Sequence, residues 1–178
     1  RDIRGISIMA FQGRLGFLGF GNMGHAIAQG VAATGAIPAG SILVYDIDPA
    51  KRESARTIGA CAAQSPADLA ARCSCVLLAV KPQTMPDALA AIKDALAADA
   101  LVISIAAGIS TEYLESRLGA GRRIIRVMPN TPAMVNAGAA AFALGAHCLP
   151  SDAETARLIF NSVGISEQTP ESAIDAIT

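Results

Sequence analysis

Gly19-Phe-Gly-Asn-Met-Gly24 is the most informative stretch of this 178-residue chain, because the sequence on both sides of it completes a larger pattern. The apolar run Leu15–Leu18 precedes it and predicts a buried strand, and residues 25–34 follow with the periodicity of a helix. A second apolar run, Ile42–Tyr45, ends at Asp46, about 20 residues after the last glycine. A strand, spaced glycines, a helix and this acid together form the dinucleotide-binding fingerprint.

The glycines have distinct physical roles in that fingerprint. Gly19 permits the tight turn out of the strand, Gly21 lets a pyrophosphate approach the backbone, and Gly24 lets the helix pack closely. The N–H groups and the positive dipole end of the helix then attract the phosphates. A glycine-rich turn in an ordinary strand–helix–strand unit is the alternative, although it does not require the acid.

Composition limits the classes of protein and partner. Hydrophobic residues make up 52% of the chain and charged residues 16%, which indicates one globular domain rather than a disordered chain. The net charge of −1 argues against a nucleic-acid or an anionic-membrane partner. No apolar run approaches the roughly 18 residues of a membrane helix, so we expect no membrane partner and a cytoplasmic location.

The cysteines are Cys61, Cys73, Cys75 and Cys148, and they form no C-x-x-C pair. Only two histidines accompany them, so we expect reduced thiols and no metal site. Nothing in the sequence near Cys73 and Cys75 suggests a lowered thiol pKa.

Two parts are expected along the chain. Residues 1–13 are interpreted as a leader or an extension, since Met9 resembles a natural start just before the first strand. Residues 1–8 lack the long apolar core and the small-residue cleavage site of a signal peptide. Residues 14–178 are interpreted as one Rossmann-like dinucleotide-binding domain.

Alternating strands and helices follow Asp46, and this order predicts an α/β fold with a doubly wound, mostly parallel sheet. The predicted strands are at 60–63, 75–80, 101–106, 123–128 and 139–144, and the predicted helices are at 49–58, 65–72, 86–98, 110–118 and 151–163. In such a sheet, ligands bind outside the carboxyl ends of the strands. Loops rich in glycine, proline or small polar residues stand at five such ends, namely 19–24, 46–49, 81–82, 106–108 and 129–132.

Four segments resemble the cofactor domain of pyrroline-5-carboxylate reductase, in the same order and with similar spacing. They are Gly16-Phe-Leu-Gly-Phe-Gly-Asn-Met-Gly24, Ala79-Val-Lys-Pro82, Val102-Ile-Ser-Ile-Ala-Ala-Gly108 and Arg126-Val-Met-Pro-Asn-Thr-Pro132. The resemblance extends from residue 14 to the end of the chain. The last two segments are specific to this family within the dinucleotide-binding class.

The resemblance implies an oxidoreductase that reduces the small molecule 1-pyrroline-5-carboxylate to L-proline, with NADP or NAD as cofactor and a homo-oligomeric full-length form. It also implies that residues 18–23 hold the pyrophosphate, that Asp46 contacts the adenosine ribose and that Asn130 lies near the reacting end. Lys81 and Asn130 are the candidates for a catalytic role, although a Lys before Pro is more typical of a solvated loop. The implied cofactor-binding residues are Leu18, Gly19, Phe20, Gly21, Asn22, Met23, Gly24, Asp46, Ala79, Val80, Lys81, Pro82, Ala106, Ala107, Gly108 and Asn130.

Two positions depart from the family pattern near the adenosine. Family members usually carry Ser, Thr or Asn where Asp46 stands. An acid there suits the 2′-hydroxyl of NAD and repels the 2′-phosphate of NADP, and Lys51 and Arg52 are expected to offset part of that repulsion. Pro66 stands where many members carry Asn near the adenine.

A third departure concerns the end of the chain. In the family, a C-terminal helical dimerisation domain begins near residues 174–178 with a loop that binds the substrate, and that domain is absent from this chain. We therefore expect the isolated chain to be catalytically incomplete and to expose apolar surface around the helix at 151–163.

Two other functions share part of the pattern. A β-hydroxyacid dehydrogenase of the 6-phosphogluconate type has the same fold and glycine loop, and its catalytic Lys lies on a helix after this domain. A non-catalytic nucleotide-sensing module needs no loops at a nicotinamide end, whereas this chain has them. The segments at 102–108 and 126–132 favour the reductase, and His25 is interpreted as a surface residue.

Overall fold

The computed structural model describes residues 11–130, 132–133 and 137–176, and these residues contain eight strands in one sheet. The strands are β1 (Leu15–Leu18), β2 (Ile42–Tyr45), β3 (Cys61–Ala62), β4 (Cys75–Leu78), β5 (Leu101–Ser104), β6 (Arg123–Pro129), β7 (Gly138–Leu144) and β8 (Gly164–Gln168). The α-helices of the same residues are α1 (Asn22–Thr34), α2 (Pro49–Ser54), α3 (Pro66–Arg72), α4 (Met85–Ile92), α5 (Thr111–Leu118), α6 (Pro150–Phe160) and α7 (Glu171–Ile174). None of these helices has both the length and the apolar character needed to cross a membrane.

The strands lie in the order β3-β2-β1-β4-β5-β6-β7-β8. Strands β1 to β6 pair in parallel, whereas β7 is antiparallel to β6 and β8 is parallel to β7. The order reverses beside β1, where the chain passes from one half of the sheet to the other. This arrangement is the doubly wound, mostly parallel, Rossmann-like α/β fold that the sequence predicts.

The central strands are buried on both faces, which is why they read as continuous apolar runs in the sequence. On one face, α1 and α6 pack against side chains that include Phe17 and Phe142. On the other face, α3, α4 and α5 pack against side chains that include Leu43 and Leu78. Full burial of one such side chain stabilises the fold by about 1.5–3 kcal/mol, so these two layers hold the strand ends in fixed register.

Most predicted elements are found with different ends. Helix α1 begins at Asn22 instead of residue 25, and α4 ends at Ile92 instead of residue 98. Strand β4 ends at Leu78, and the next N–H, that of Ala79, still donates to the carbonyl of Leu18 at 2.8 Å. Patterning locates the apolar face of an element, whereas its last residues depend on the turn that follows.

Strand β8 and helix α7 lie where the sequence predicts no element. Strand β8 is at the edge of the sheet, and Ser166 is its one buried residue, so it carries no apolar run. Helix α7 has four residues, too few for a periodic pattern. Strand β8 forms because it pairs with β7, and Ile174 of α7 packs against side chains of β7, so both elements depend on residues distant in sequence.

The expected exposed apolar surface around residues 151–163 does not lie on the apolar face of α6. The apolar side chains of α6 face the sheet, and Ala153, Ala156, Ile159 and Phe160 are each at most 5% exposed. The apolar face of the helix is therefore covered by this domain's own sheet. Large exposed apolar side chains flank the segment at Leu149 and Ile165, and a third described one lies at Ile47.

Candidate functional site

The strand register brings the candidate loops together. Leu18, the last residue of β1, lies opposite Tyr45 of β2 and Leu78 of β4, and Leu78 lies opposite Ser104 of β5. Four parallel strands therefore end at the same level. The loops 19–24, 46–49, 79–82 and 105–108 leave the same edge of the sheet, as the sequence predicts for a ligand site.

The glycine loop is shaped by two close backbone approaches. Gly19 has a φ of 92°, and a Cβ there would lie 2.6 Å from the carbonyl oxygen of Ala79. A Cβ on Gly24 would lie 2.9 Å from the carbonyl oxygen of Gly19. Both glycines are thus required for the loop to pack against the end of β4 and the start of α1.

Gly21 differs from these two glycines, because a Cβ there would meet no atom within 4 Å. Its backbone is extended, with φ −71° and ψ −171°, so the structure itself does not require glycine at this position. The open space fits a ligand that approaches the backbone, which is the role that the fingerprint assigns to the second glycine.

Helix α1 presents an uncapped N-terminus beside this open space. Gly21 is its N-cap residue, no side chain caps the helix, and its first turn contains no acid. The first N–H groups and the helix dipole therefore point at the loop, an arrangement that attracts phosphate. The residues present fit the pyrophosphate of a dinucleotide.

Leu18 and Phe20 have buried side chains, 4% and 2% exposed, so only their backbones face the loop. The Phe20 ring packs edge-on against Phe17 and against His25, with centroids 6.4 and 5.1 Å apart. His25 is half-buried in this contact rather than a surface residue as predicted, because the bulky Phe20 ring occupies the space beside α1.

Asp46 lies between the glycine loop and the loop after β2. Its Oδ2 accepts the N–H of Phe20 at 2.7 Å, and its Oδ1 accepts the N–H of Asp48 at 2.9 Å. The Arg52 side chain donates to the carbonyl of Asp46 at 2.5 Å and lies over the Tyr45 ring, 5.5 Å from its centroid. The acid of the fingerprint is therefore held at the strand edge by bonds to both loops.

The loops after β4 and β5 follow the same edge. Val80 is half-buried, Lys81 and Pro82 are exposed, and the carbonyl of Lys81 accepts the N–H of Thr84 at 3.0 Å. Ala106 is buried, and its N–H donates to Oγ of Ser104 at 3.3 Å, whereas Ala107 and Gly108 are exposed. Lys81 thus has the exposure of a solvated loop residue at the rim of the site.

Asn130 extends the pairing of β6 with β7. Its N–H donates to the carbonyl of Ala139 at 3.0 Å, and its Oδ1 accepts the N–H of Ala139 at 2.8 Å. The side-chain oxygen is thereby used within the fold, which leaves the NH₂ group as the donor end of this side chain. Thr131, part of the predicted loop at 129–132, lies outside the described residues.

A family model described as NADP oxidoreductase coenzyme F420-dependent matches residues 14–108, which is more than half of the chain. The chain belongs to this NADP oxidoreductase family. The match spans the glycine loop, Asp46 and the loops after β4 and β5. It confirms the predicted cofactor class, NADP or NAD.

Relatives agree with the predicted resemblance. The pyrroline-5-carboxylate reductase of Methanosarcina acetivorans is 36% identical over 93% of this chain and 62% of its own length. The solved reductase of Coxiella burnetii superposes with a TM-score of 0.88 at 31% identity, over 92% of this chain and 62% of that chain. The Plasmodium falciparum pyrroline carboxylate reductase, solved with NADP bound, has a TM-score of 0.83 at 31% identity, over 92% and 60%. The chain spans about three-fifths of the length of the relatives it matches.

The thiols of this member of the NADP oxidoreductase family do not form part of the site. Burial raises the pKa of Cys73 from 9.0 to about 12 and raises the pKa of Cys75 further. Burial also raises the pKa of Cys148, whereas Cys61 is exposed. The buried thiols are therefore protonated at neutral pH and unsuited to nucleophilic chemistry.

Sequence reasoning missed one polar network close to the site. Arg126, 5% exposed in β6, forms ion pairs with Asp175 and, at 3.8 Å, with Glu171. Glu171 accepts the N–H of Thr111 at 2.8 Å and its hydroxyl at 2.5 Å. The network ties α7 to the start of α5, just after the 105–108 loop. A lone Arg inside the apolar run of β6 was the available signal.

Proposed function

We propose that this chain is the cofactor-binding part of a pyrroline-5-carboxylate reductase, which reduces 1-pyrroline-5-carboxylate to L-proline with NADPH or NADH. The observation that carries the proposal is the open cradle at Gly21, in front of an uncapped helix and on the same edge as the 79–82 and 105–108 loops. The similarity to named reductases over 93% of the chain supports the choice of substrate.

The proposal gives roles to the residues at this edge. The N–H groups at 21–24 hold the pyrophosphate, since that of Phe20 is used by Asp46, and the Asp46 carboxylate contacts the adenosine ribose. Residues 79–82 and 106–108 line the path to the nicotinamide, and Asn130 lies near its reacting end. The reduced dinucleotide supplies the hydride for the imine carbon, and this domain supplies orientation and exclusion of water.

The rest of the reductase belongs to the same proposal. The named relatives continue well beyond the part that matches this chain. We infer that the region unmatched here provides contacts to the imine and to a second subunit, in a cytoplasmic homo-oligomer. Lys81 and Asn130 are the residues of this domain that we place nearest to the substrate.

The experiment compares two proteins in NAD(P)H oxidation with 1-pyrroline-5-carboxylate: this chain, and this chain extended by the unmatched region of the Methanosarcina acetivorans relative. Two results together support the proposal. One proline forms for each dinucleotide oxidised, and the extended protein catalyses the reaction much faster than this chain does. An extended protein that binds reduced dinucleotide but forms no proline contradicts it.

A binding experiment on this chain separates a reductase from a nucleotide sensor. NADH, NADPH and AMP are titrated by calorimetry. A reductase domain binds a reduced dinucleotide more tightly than AMP, since the nicotinamide half adds contacts at 79–82 and 106–108. Equal affinity for AMP contradicts the assignment of those loops.

A further inference from the structure

We propose that this site is built for NADH and disfavours the 2′-phosphate of NADPH, although the family is described as an NADP oxidoreductase. The inference rests on the proposed function for the position of the dinucleotide. It concerns the loop between β2 and α2, because the residue at the end of β2 faces the 2′ position of the adenosine ribose in this fold.

The Asp46 carboxylate is fixed at that position. Its two oxygens accept N–H groups from different loops, that of Phe20 at 2.7 Å and that of Asp48 at 2.9 Å. Rotation of the side chain away from a phosphate would leave both donors without their acceptor. Each oxygen still has a lone pair for the 2′-hydroxyl of NADH, whereas a 2′-phosphate would meet a carboxylate of like charge.

Residues 48–50 of the loop offer no free N–H group to a phosphate. The N–H of Asp48 is used by Asp46, residue 49 is a proline without an N–H, and the N–H of Ala50 donates to Oδ1 of Asp48 at 2.9 Å. The N-terminus of α2 is therefore already capped by a carboxylate, in contrast to the N-terminus of α1. The proposed pyrophosphate site therefore has an uncapped helix N-terminus, whereas the helix N-terminus beside the proposed ribose site is capped.

The nearby cations are only partly available to a phosphate. Arg52 donates to the carbonyls of Asp46 and Ile47, at 2.5 and 3.3 Å, and lies over the Tyr45 ring. Both bonds use Nη1, so this nitrogen is committed to the protein's own backbone. Lys51 is exposed on α2 and shares the loop with two carboxylates, those of Asp46 and Asp48. Lys51 and Arg52 are therefore expected to offset only part of the repulsion, with one nitrogen of Arg52 already used.

The test measures dissociation constants of NADH and NADPH for this chain and for Asp46→Ser. The chain binds NADH more tightly than NADPH, and Asp46→Ser shifts the ratio of the two constants toward NADPH by about tenfold, or about 1.4 kcal/mol. The ratio of the two dissociation constants is the readout, because loss of the bond to Phe20 weakens the binding of both dinucleotides alike. Thermal unfolding of the variant checks that it folds.

Two further variants keep the test decisive if Asp46→Ser unfolds. Asp48→Asn retains a capping oxygen and removes the second carboxylate, so it shifts the ratio toward NADPH relative to the parent chain, by less than about tenfold. Lys51→Ala shifts the ratio toward NADH. If both dinucleotides bind and NADPH binds as tightly as NADH, the inference is overturned while the proposed function stands. If neither binds, both are wrong.

Discussion

The backbone N–H of Phe20 donates to Oδ2 of Asp46 at 2.7 Å, across 26 residues of sequence. The bond joins the loop that we propose for the pyrophosphate to the strand end that we propose for the ribose. Asp46 therefore has a structural role in addition to its proposed role in recognition.

Asp46→Ala is expected to lower the free energy of unfolding by about 1–3 kcal/mol, because it leaves the N–H groups of Phe20 and Asp48 without their acceptor. Urea denaturation of the chain without dinucleotide measures this loss. Asp48→Ala is the matched control, since it removes one helix cap and is expected to cost about 1 kcal/mol. An Asp46→Ala chain as stable as the parent would contradict the role of the bond.

Ile47 is 88% exposed and follows Asp46 directly, so its apolar side chain stands beside the proposed adenosine site. Ile47→Ser is expected to weaken the binding of NADH and of NADPH by similar factors, since the adenine is common to both. The ratio of their dissociation constants should stay at the parent value, in contrast to Asp46→Ser. Unchanged affinity for both dinucleotides would remove Ile47 from the site.

Glu171 accepts two hydrogen bonds from Thr111, and we expect them to be coupled energetically. Single variants Glu171→Gln and Thr111→Val, with the double variant, form a thermodynamic cycle. The expected interaction energy is about 0.5–3 kcal/mol in the free energy of unfolding. If the losses of unfolding free energy in the two single variants simply add in the double variant, the contact contributes little to holding α7.

The thiols are expected to differ in reactivity. At neutral pH a thiol reagent should modify exposed Cys61 first, with Cys73 and Cys75 protected until the chain unfolds. The raised pKa of Cys73 also has a consequence for stability: above pH 9 the unfolded thiol ionises and the folded one does not. The contribution of the Cys73 thiol to folding stability is therefore complete below pH 9, and it is lost progressively as the pH rises toward 12.

Labelling followed by mass spectrometry, with Cys61→Ser as the control, checks this order. Rapid modification of Cys75 in the folded chain would contradict its burial at 1% exposure.

The sequence was sufficient for features that depend on local pattern. The apolar runs Leu15–Leu18 and Ile42–Tyr45 are strands with the predicted ends, and Ser65 caps α3 through the N–H of Asp68 at 3.0 Å. The placement of the loops at one edge followed from the alternation of strands and helices.

Features that depend on distant partners were not predictable in the same way. The direction of the Asp46 carboxylate depends on Phe20, and the burial of Arg126 depends on acids about 50 residues later. The hydrogen bonds from Arg52 to the carbonyls of Asp46 and Ile47 likewise have no sequence signal. A sequence identifies the charges at a site, whereas their availability to a ligand depends on the folded contacts.

The most direct test of the account is NADH binding by Gly21→Val. A Cβ at Gly21 meets no protein atom within 4 Å, so the variant should fold, with a free energy of unfolding lower by about 1 kcal/mol at most because Val is a poorer N-cap residue than Gly. Its branched side chain should occupy the pyrophosphate path and weaken NADH binding at least about 100-fold, or about 2.7 kcal/mol. Gly40→Val is the matched control, since position 40 is equally open and precedes β2 at the opposite edge of the sheet. The account predicts parental affinity for Gly40→Val and lost affinity for Gly21→Val, and parental affinity in both variants would contradict it.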